Sequence, residues 1–596
     1  IFSGNVVEMC PVGALTAKSF RFMGRPWELK RTPSVCGNCA VGCNVLVDVR
    51  VDKVQRQYSR TNDDIDDGWL CDRGRWDLAA FNSPERLRTP LVRRGGQLQP
   101  TTWDDALTLV GQRLAEIARH SGPQAVGGIG STHTTNEEAY LFQKLLRTGI
   151  GTNNVDHWHG SFPDQRDGDL PWVWTGSIAG LDRASHIVLL GADPYERQPI
   201  VDLRIRKAIR AGAQLIVVTS EPLRLDRLAT SVIRYQPGQT GIVARALRAL
   251  IASEPHPLPP LLRGEGGPEA FSALPPDAGG PEGDAAALAG QAGVELEALR
   301  ALVRTLVGAR AATLLYDERA TREPSGANLA ADALAVALLT GNFGQPGAGA
   351  GPLLGAVNSL GARDMGLLPD LLPGYVGVGD EAGRGRLARE WGGAEPPAMP
   401  GLGYAAMLAG GVKALYVMGA DPAHHVDPAA LEHFDFLVVQ DLFLTETAQR
   451  ADVVLPAVAY AEKDGSFTNT ERCVQAVRRA MIPLPGARAD WEILGGVARA
   501  LGLRWSYRGP SDVLAEIGRV VPIYAGLTRR ALGARGLRWP IMLAQDEDGA
   551  IRLAGSDHLT WDMLQQGVSN SPPLATGDAA PAGSPPLAGE GQGERS

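Results

Sequence analysis

The sequence predicts a doubly wound α/β protein preceded by a small cysteine-bearing lobe. Three observations predict it: four closely set cysteines near the start, short runs rich in Val, Ile and Leu, and helical patterns alternating with those runs. Short continuous apolar runs read as parallel strands buried on both faces. Their alternation with helices builds layered α/β domains.

The lobe comes first. Cys36, Cys39, Cys43 and Cys71 lie in SVCGNCAVGC…GWLCDRGRW, a C-x2-C-x3-C run followed after 27 residues by a fourth cysteine. Thiolates are soft ligands, and four around one point suit zinc or an iron–sulfur cluster. Unequal x2 and x3 spacing argues against a zinc ribbon, which prefers two C-x2-C pairs. A [4Fe–4S] cluster is therefore the expectation, with zinc as the alternative. Gly37, Gly42 and Gly74 leave room for backbone N–H groups to approach the sulfurs and tune the reduction potential. Cys10, in GNVVEMCPVGALTAKSFRF, is followed by proline as in ferredoxin-type ligand runs. If it is a ligand, its three partners are not in this sequence. Cys473 reads as a small buried or half-buried thiol.

Downstream, TTWDDALTLVGQRLAEI opens on Thr102 as an N-cap and spaces Leu107, Val110, Leu114 and Ile117 on one helical face. Asn136 is expected to cap NEEAYLFQKLLRTGIG, ending at Gly149. Strands are expected at Ile187–Leu190, Leu215–Val218, Thr313–Tyr316, Leu415–Met418 and Phe436–Val439. Ligands of such folds gather at the carboxyl ends of strands, which here read GADPYE, TSEPLR, MGADPAHH and QDLFLTE. Gly347, Gly349 and Gly351 do not make a G-x-G-x-x-G fingerprint and read as a glycine-rich turn. Asp452, Glu462 and Asp464 read as helix caps or surface acids. His424 and His425 stand at a strand end without further support. Residues 252–290 are rich in Pro and Gly and read as a linker or insertion, as does the tail. Pro259–Gly266 nearly repeats as Pro585–Gly591, with no function assigned.

Composition narrows the function. The chain has 596 residues, 44% hydrophobic and 21% charged, enough for three or more domains. A net charge of −8 gives no footing for nucleic acid or an anionic membrane surface. No apolar run approaches a membrane span. Six cysteines, four of them in one motif, do not make a disulfide framework. The first residue is Ile1 and no signal peptide follows, as expected of a chain beginning within a longer gene product.

Together these motifs resemble a known family. CPVGALTAKSFRFMGRPWELKRTPSVCGNCAVGCNV is similar to the large iron–sulfur subunit of NADH–quinone oxidoreductase, respiratory complex I. From Cys36 to about Pro540 the chain resembles the molybdopterin oxidoreductase superfamily, formate dehydrogenases in particular. The stretches that carry this are TNEEAYLFQKLLRTGIGTNNVD, GNFGQPGAGAGPLLGAVNSLGARDMGLLPDLLPGY, FDFLVVQDLFLTETAQRADVVLPA and EKDGSFTNTERCVQAVRRA. The resemblance implies a [4Fe–4S] cluster on Cys36, Cys39, Cys43 and Cys71, and Cys10 as the fourth ligand of a second, truncated cluster. It implies the following division: 1–30, the end of a ferredoxin-like iron–sulfur domain; 31–86, the [4Fe–4S] domain of the Mo/W bis-MGD type; 87–251 and 291–545, molybdopterin oxidoreductase-like α/β structure; 252–290, low-complexity linker; 546–596, disordered tail. Arg73 stands where the enzymes keep a basic residue between cluster and pterin, or is an ordinary surface arginine.

Three departures from the enzymes argue against a working molybdenum site. Formate dehydrogenases place a metal-binding Cys or selenocysteine just before a His-Gly pair. Here GTNNVDHWHGSF puts Trp158 before His159 and Gly160, and an indole has no lone pair to donate. Ser161 lies on the wrong side of the histidine, and His157 and His159 read as satisfied polar residues. The guanine-reading Asp-Pro-Arg-Arg-Thr run is replaced by VVTSEPLRLDRLA, with Thr219 or Ser220 at the aspartate position. No sequence for the enzymes' terminal β-barrel domain follows Pro540. The expectation is an electron-carrying complex I subunit with no active site of its own and no molybdopterin. It would pass electrons from NADH and FMN in partner subunits of the hydrophilic arm toward quinone, as part of a translocase. It would lie in the cytoplasm on the inner face of the plasma membrane, attached only through partners. A molybdenum or tungsten formate dehydrogenase is the alternative, and a purely architectural subunit a third reading.

Overall fold

The computed structural model describes residues 1–158, 172–253 and 281–539, together with two short strands at Met542–Gln545 and Ile551–Ala554. The amino-terminal lobe is a three-stranded antiparallel sheet of Lys30–Val35, Asn44–Arg50 and Lys53–Ser59. Its first hairpin pairs Val35 with Asn44, so that one eight-residue loop carries three cysteines. Val45, Val47, Val49 and Val54 are buried beneath the sheet. The lobe's core runs on into one face of a neighbouring sheet through Ile187, Leu189, Leu215 and Val217.

Two α/β layers follow, one inserted into the other. The first is a seven-stranded sheet in the order Gln97–Pro100, Leu91–Arg94, Val453–Pro456, Phe436–Asp441, Ala414–Met418, Val126–Gly130, Val155–His157. Its last five strands are parallel, and the edge hairpin 91–100 is antiparallel. The inserted sheet has five parallel strands, Ser231–Ile233, Gln214–Val218, His186–Leu190, Ala312–Asp317 and Gly349–Leu353. Strand order reverses between Val126–Gly130 and Ala414–Met418 in one sheet, and between His186–Leu190 and Ala312–Asp317 in the other. Such reversals open the crevices in which α/β proteins hold ligands. The five expected strands all form, each within a residue or two of its expected ends.

Four elements differ from expectation for local reasons. Thr135, not Asn136, caps the helix Asn136–Lys144: its hydroxyl accepts from Glu138 N–H, and the Glu138 carboxylate accepts from Thr135 N–H. Asn136 instead donates to Ser466 and Thr468. The helix does not stop at Gly149 but widens into a π-turn over Leu145–Ile150, closed by Gly151 at φ 87°. Of the glycine run, Gly347 lies in a turn and Gly349 and Gly351 lie in a strand. Gly349–Leu353 pairs in parallel with Ala312–Asp317, and a side chain on Gly351 would meet the backbone of Trp174. Glycine is what lets the two backbones approach. A helix, Pro281–Ala292, begins inside the stretch read as linker. Ala285, Ala289 and Ala292 are buried on its inner face. Among the described residues no helix is long and apolar enough to cross a membrane.

Candidate metal centre

The fold gathers the four cysteines. Cys36 and Cys43 flank the loop and are tied by the Cys36 N–H donating to Cys43 O at 2.8 Å. Cys71 precedes the short helix Asp72–Trp76, and its Sγ accepts from Gly74 N–H at 3.5 Å. A Cβ on Gly74 would lie 2.8 Å from Cys36 Sγ, so only glycine lets that helix close over the loop. Cys36, Cys43 and Cys71 are buried and Cys39 is half-buried. Burial first, and then the neighbouring thiols, push Cys36 and Cys43 well above the ordinary thiol range, and Cys39 up to about 12. Backbone N–H groups work the other way: Asn38 donates toward Cys36 and Val41 toward Cys39. Four thiols so close and so buried are held at a cost as free side chains. They become favourable ligands when metal charge replaces the protons. Among the described residues no His, Cys, Asp or Glu group of three converges as a single-ion site. Four cysteine thiolates are a donor set that a [4Fe–4S] cubane and a structural zinc ion both accept.

The surroundings were not legible beforehand. The hairpin of Gly465–Thr468 and Cys473–Val477 reaches over the cysteine loop. Thr470 N–H donates to Ala40 O at 2.7 Å, Asn469 Nδ2 to Val41 O at 3.0 Å, and Gln475 Nε2 to Gly42 O at 2.9 Å and to Asn44 Oδ1 at 2.7 Å. Tyr460 lies flat enough on the loop that a Cβ on Gly37 would stand 2.5 Å from its ring. Asp66 accepts from the N–H groups of Asn44, Asn62 and Gly68, and burial pushes its carboxyl up to about 6. The stretch EKDGSFTNTERCVQAVRRA holds the hairpin residues, yet nothing local in it signals a contact more than 400 residues away.

Cys10 stands apart. It follows the helix Gly4–Met9, is half-buried, and borders a cavity of about 180 Å³ beside Tyr58, Arg75 and Trp76. The nearby backbone N–H groups, that of Leu15 foremost, hold the thiol below its usual range, while the Gly13 N–H donates to Cys10 O at 3.4 Å. Asp72 accepts from Ser3 and Gly4 N–H, Asn5 exchanges hydrogen bonds with Leu70, and the Arg75 guanidinium joins Asn5 and Glu8. The Cys10 segment is thereby fastened to the helix that follows Cys71.

The crevice of the seven-stranded sheet is filled differently. Trp158, just past the end of Val155–His157, stacks on His425 with ring centroids 3.9 Å apart and planes 6° from parallel. The Arg322 guanidinium lies 5.1 Å from the indole, and Tyr404 meets it edge-on. An indole held in this way offers no metal donor, so Trp158 does not fit a ligand role. His159, Gly160 and Ser161 lie outside the described residues. At the other crevice Thr219 donates to Glu221 O and accepts from Arg234, and Arg224 covers Tyr195. Arg73, half exposed, pairs with Glu196 at 2.8 Å across the junction of lobe and α/β layer. Glu462 is neither exposed nor a cap alone. It is buried against Arg86 at 2.7 Å and accepts from Ala459 and Leu484 N–H. Asp452 accepts from Leu437 N–H, and Asp464 pairs with Arg529. Cys473 is buried, as expected.

Comparison with known proteins agrees with this architecture. The molybdopterin oxidoreductase family model matches residues 86–500, and the model of that family's Fe4S4 domain matches 29–78, the span that holds all four cysteines. An F420-dependent formate dehydrogenase 1 subunit alpha of Methanococcus maripaludis is 34% identical over 87% of this chain and 78% of its own length. A subunit of the NADH-quinone oxidoreductase of Rhizobium meliloti is 35% identical over 89% of this chain and 61% of its own length. The probable oxidoreductase YjgC of Bacillus subtilis is 34% identical over 87% of this chain, which spans 54% of that protein. Acetylene hydratase from Pelobacter acetylenicus shares the fold, with a TM-score of 0.62 at 15% identity over 87% of this chain and 75% of its own. The thiol-lined lobe, the two interleaved α/β sheets and these matches lead to one conclusion: the chain belongs to the molybdopterin oxidoreductase family and carries that family's Fe4S4 domain.

Proposed function

We propose that the chain is an iron–sulfur electron carrier of an NADH–quinone oxidoreductase, with its cluster on Cys36, Cys39, Cys43 and Cys71. The observation that carries this reading is the contrast between a complete thiol site in the lobe and the Trp158–His425 stack in the crevice. A [4Fe–4S] cluster supplies a one-electron couple, which suits a relay and needs no acid or base in this chain. The chain's part is ligation by four thiolates, exclusion of water by Tyr460 and the hairpin, and N–H groups aimed at the sulfurs. Hydride would leave NADH at a flavin in a partner subunit, and single electrons would continue toward quinone. Partner subunits would hold the chain at the inner face of the plasma membrane. A second cluster would take Cys10 as one ligand and be completed by thiolates from outside this sequence; the Cys-Pro run and the thiol held below its usual range support it. The crevice would hold no molybdopterin metal.

Formate dehydrogenase is the second reading, favoured by the relative of which this chain spans 78%. Formate-dependent reduction of a viologen dye by anaerobically purified protein separates the two. The carrier reading expects a [4Fe–4S] EPR signal on dithionite reduction and no formate-dependent turnover. Sustained formate oxidation would overturn it.

A further inference from the structure

The peptide units of the cysteine loop are held from outside, and their orientation follows from that grip. A trans peptide points its C=O and its N–H in opposite directions. Thr470 N–H holds Ala40 O on the hairpin side, and the N–H of the same peptide unit, on Val41, is the one directed at Cys39. The Gly42–Cys43 peptide is held in the same manner, here by a side chain: Gln475 Nε2 donates to Gly42 O at 2.9 Å. The Cys43 N–H is thereby turned the opposite way, away from Gln475. Among the described residues no oxygen accepts it. Gln475 is 1% exposed, and its second amide hydrogen goes to Asn44 Oδ1 at 2.7 Å. Its own Oε1 has no hydrogen-bond partner among the described residues. A buried carboxamide with an unsatisfied oxygen is costly for stability alone, so what the residue contributes lies in its two donors.

We infer that Gln475 is a positioning residue of the four-cysteine centre, holding the Gly42–Cys43 peptide so that the Cys43 N–H faces the cluster sulfurs and favours its reduced state. The inference rests on the proposed ligation by Cys36, Cys39, Cys43 and Cys71. Reduction adds one electron, supplied in the test by dithionite through a mediator dye, and takes the cluster from 2+ to 1+ with no proton transferred. An N–H turned to sulfur stabilises the added negative charge, and losing it lowers the potential.

The test is a mediated redox titration of the whole chain, followed by the EPR signal of the reduced cluster, for the wild type and Gln475→Met. Methionine keeps the length and burial of glutamine, removes both donors and removes the orphaned oxygen. At the wild-type midpoint the reduced-to-oxidised ratio of the variant should fall about tenfold, equivalent to a midpoint about 59 mV lower for a one-electron couple. Iron content should stay at the wild-type level. An unchanged midpoint in an iron-replete variant would overturn the inference. Should Gln475→Met fail to take up iron, Gln475→Asn, which keeps a carboxamide one carbon short, carries the same comparison with a smaller fall expected. A wild-type chain without about four irons would overturn the ligand assignment instead, a separate outcome.

Discussion

The lobe and the crevice of the seven-stranded sheet are two regions of one fold, and they are built in opposite ways. In the lobe, donors converge: four thiols, three N–H groups directed at sulfur, and a hairpin that takes up the loop carbonyls. In the crevice, side chains fill space: Trp158 lies on His425 beneath Arg322, with Tyr404 at its edge. The first arrangement is unfavourable until metal charge arrives. The second is held by ring stacking and a cation over the indole. On the proposed reading, the family scaffold keeps the redox site of the lobe and gives up the one in the crevice.

Ways to break that contrast differ in size. The largest effect is expected from Cys39→Ser. Metal binding at such a site is part of the folding free energy, so the variant should lose roughly half or more of its iron and melt earlier, as read by iron assay and calorimetry. Full iron retention would remove Cys39 from the site. Asp66 comes next. Its native carboxyl is raised from 3.8 to about 6 by burial, so between those values the folded state binds a proton that the unfolded state has released. Stability should therefore fall as pH rises from about 4 to about 6 and level off above. Asp66→Asn should flatten that slope, a difference of about 3 kcal/mol at most. Urea titrations of iron-free protein across that range measure it.

How much of this was legible in the sequence follows the range of the interactions. The cysteine set was legible because ligation demands one residue type at fixed local spacing. The five apolar strands were legible because burial on both faces leaves an uninterrupted run. Val126–Gly130 and Gly349–Leu353 were not, since their glycines make room for Phe142, Leu146 and Trp174 from elsewhere in the chain. Gln475, Asn469 and Tyr460 carry no local mark of the loop they cover, and Glu462 finds Arg86 only in the folded chain. The family resemblance reached what spacing alone did not, namely the molybdopterin oxidoreductase family itself.

Smaller effects sharpen the contrast. Trp158→Ala should cost about 2 kcal/mol, less than a fully buried aromatic because the ring is half-buried, while iron content and cluster potential stay at wild-type values. A fall in iron would mean that the two sites are coupled. Arg73→Gln removes an exposed pair with Glu196 and should change stability by about 0.5 kcal/mol or less, as measured by denaturant midpoint. A larger loss would make the lobe junction depend on that ion pair.

The central claim is that the lobe binds a cluster and the crevice binds no metal. Metal analysis of anaerobically purified protein, reporting iron, zinc, molybdenum and tungsten per chain, tests it most directly. The account predicts about four irons with neither molybdenum nor tungsten. Stoichiometric molybdenum or tungsten would contradict it, as would zinc in place of iron.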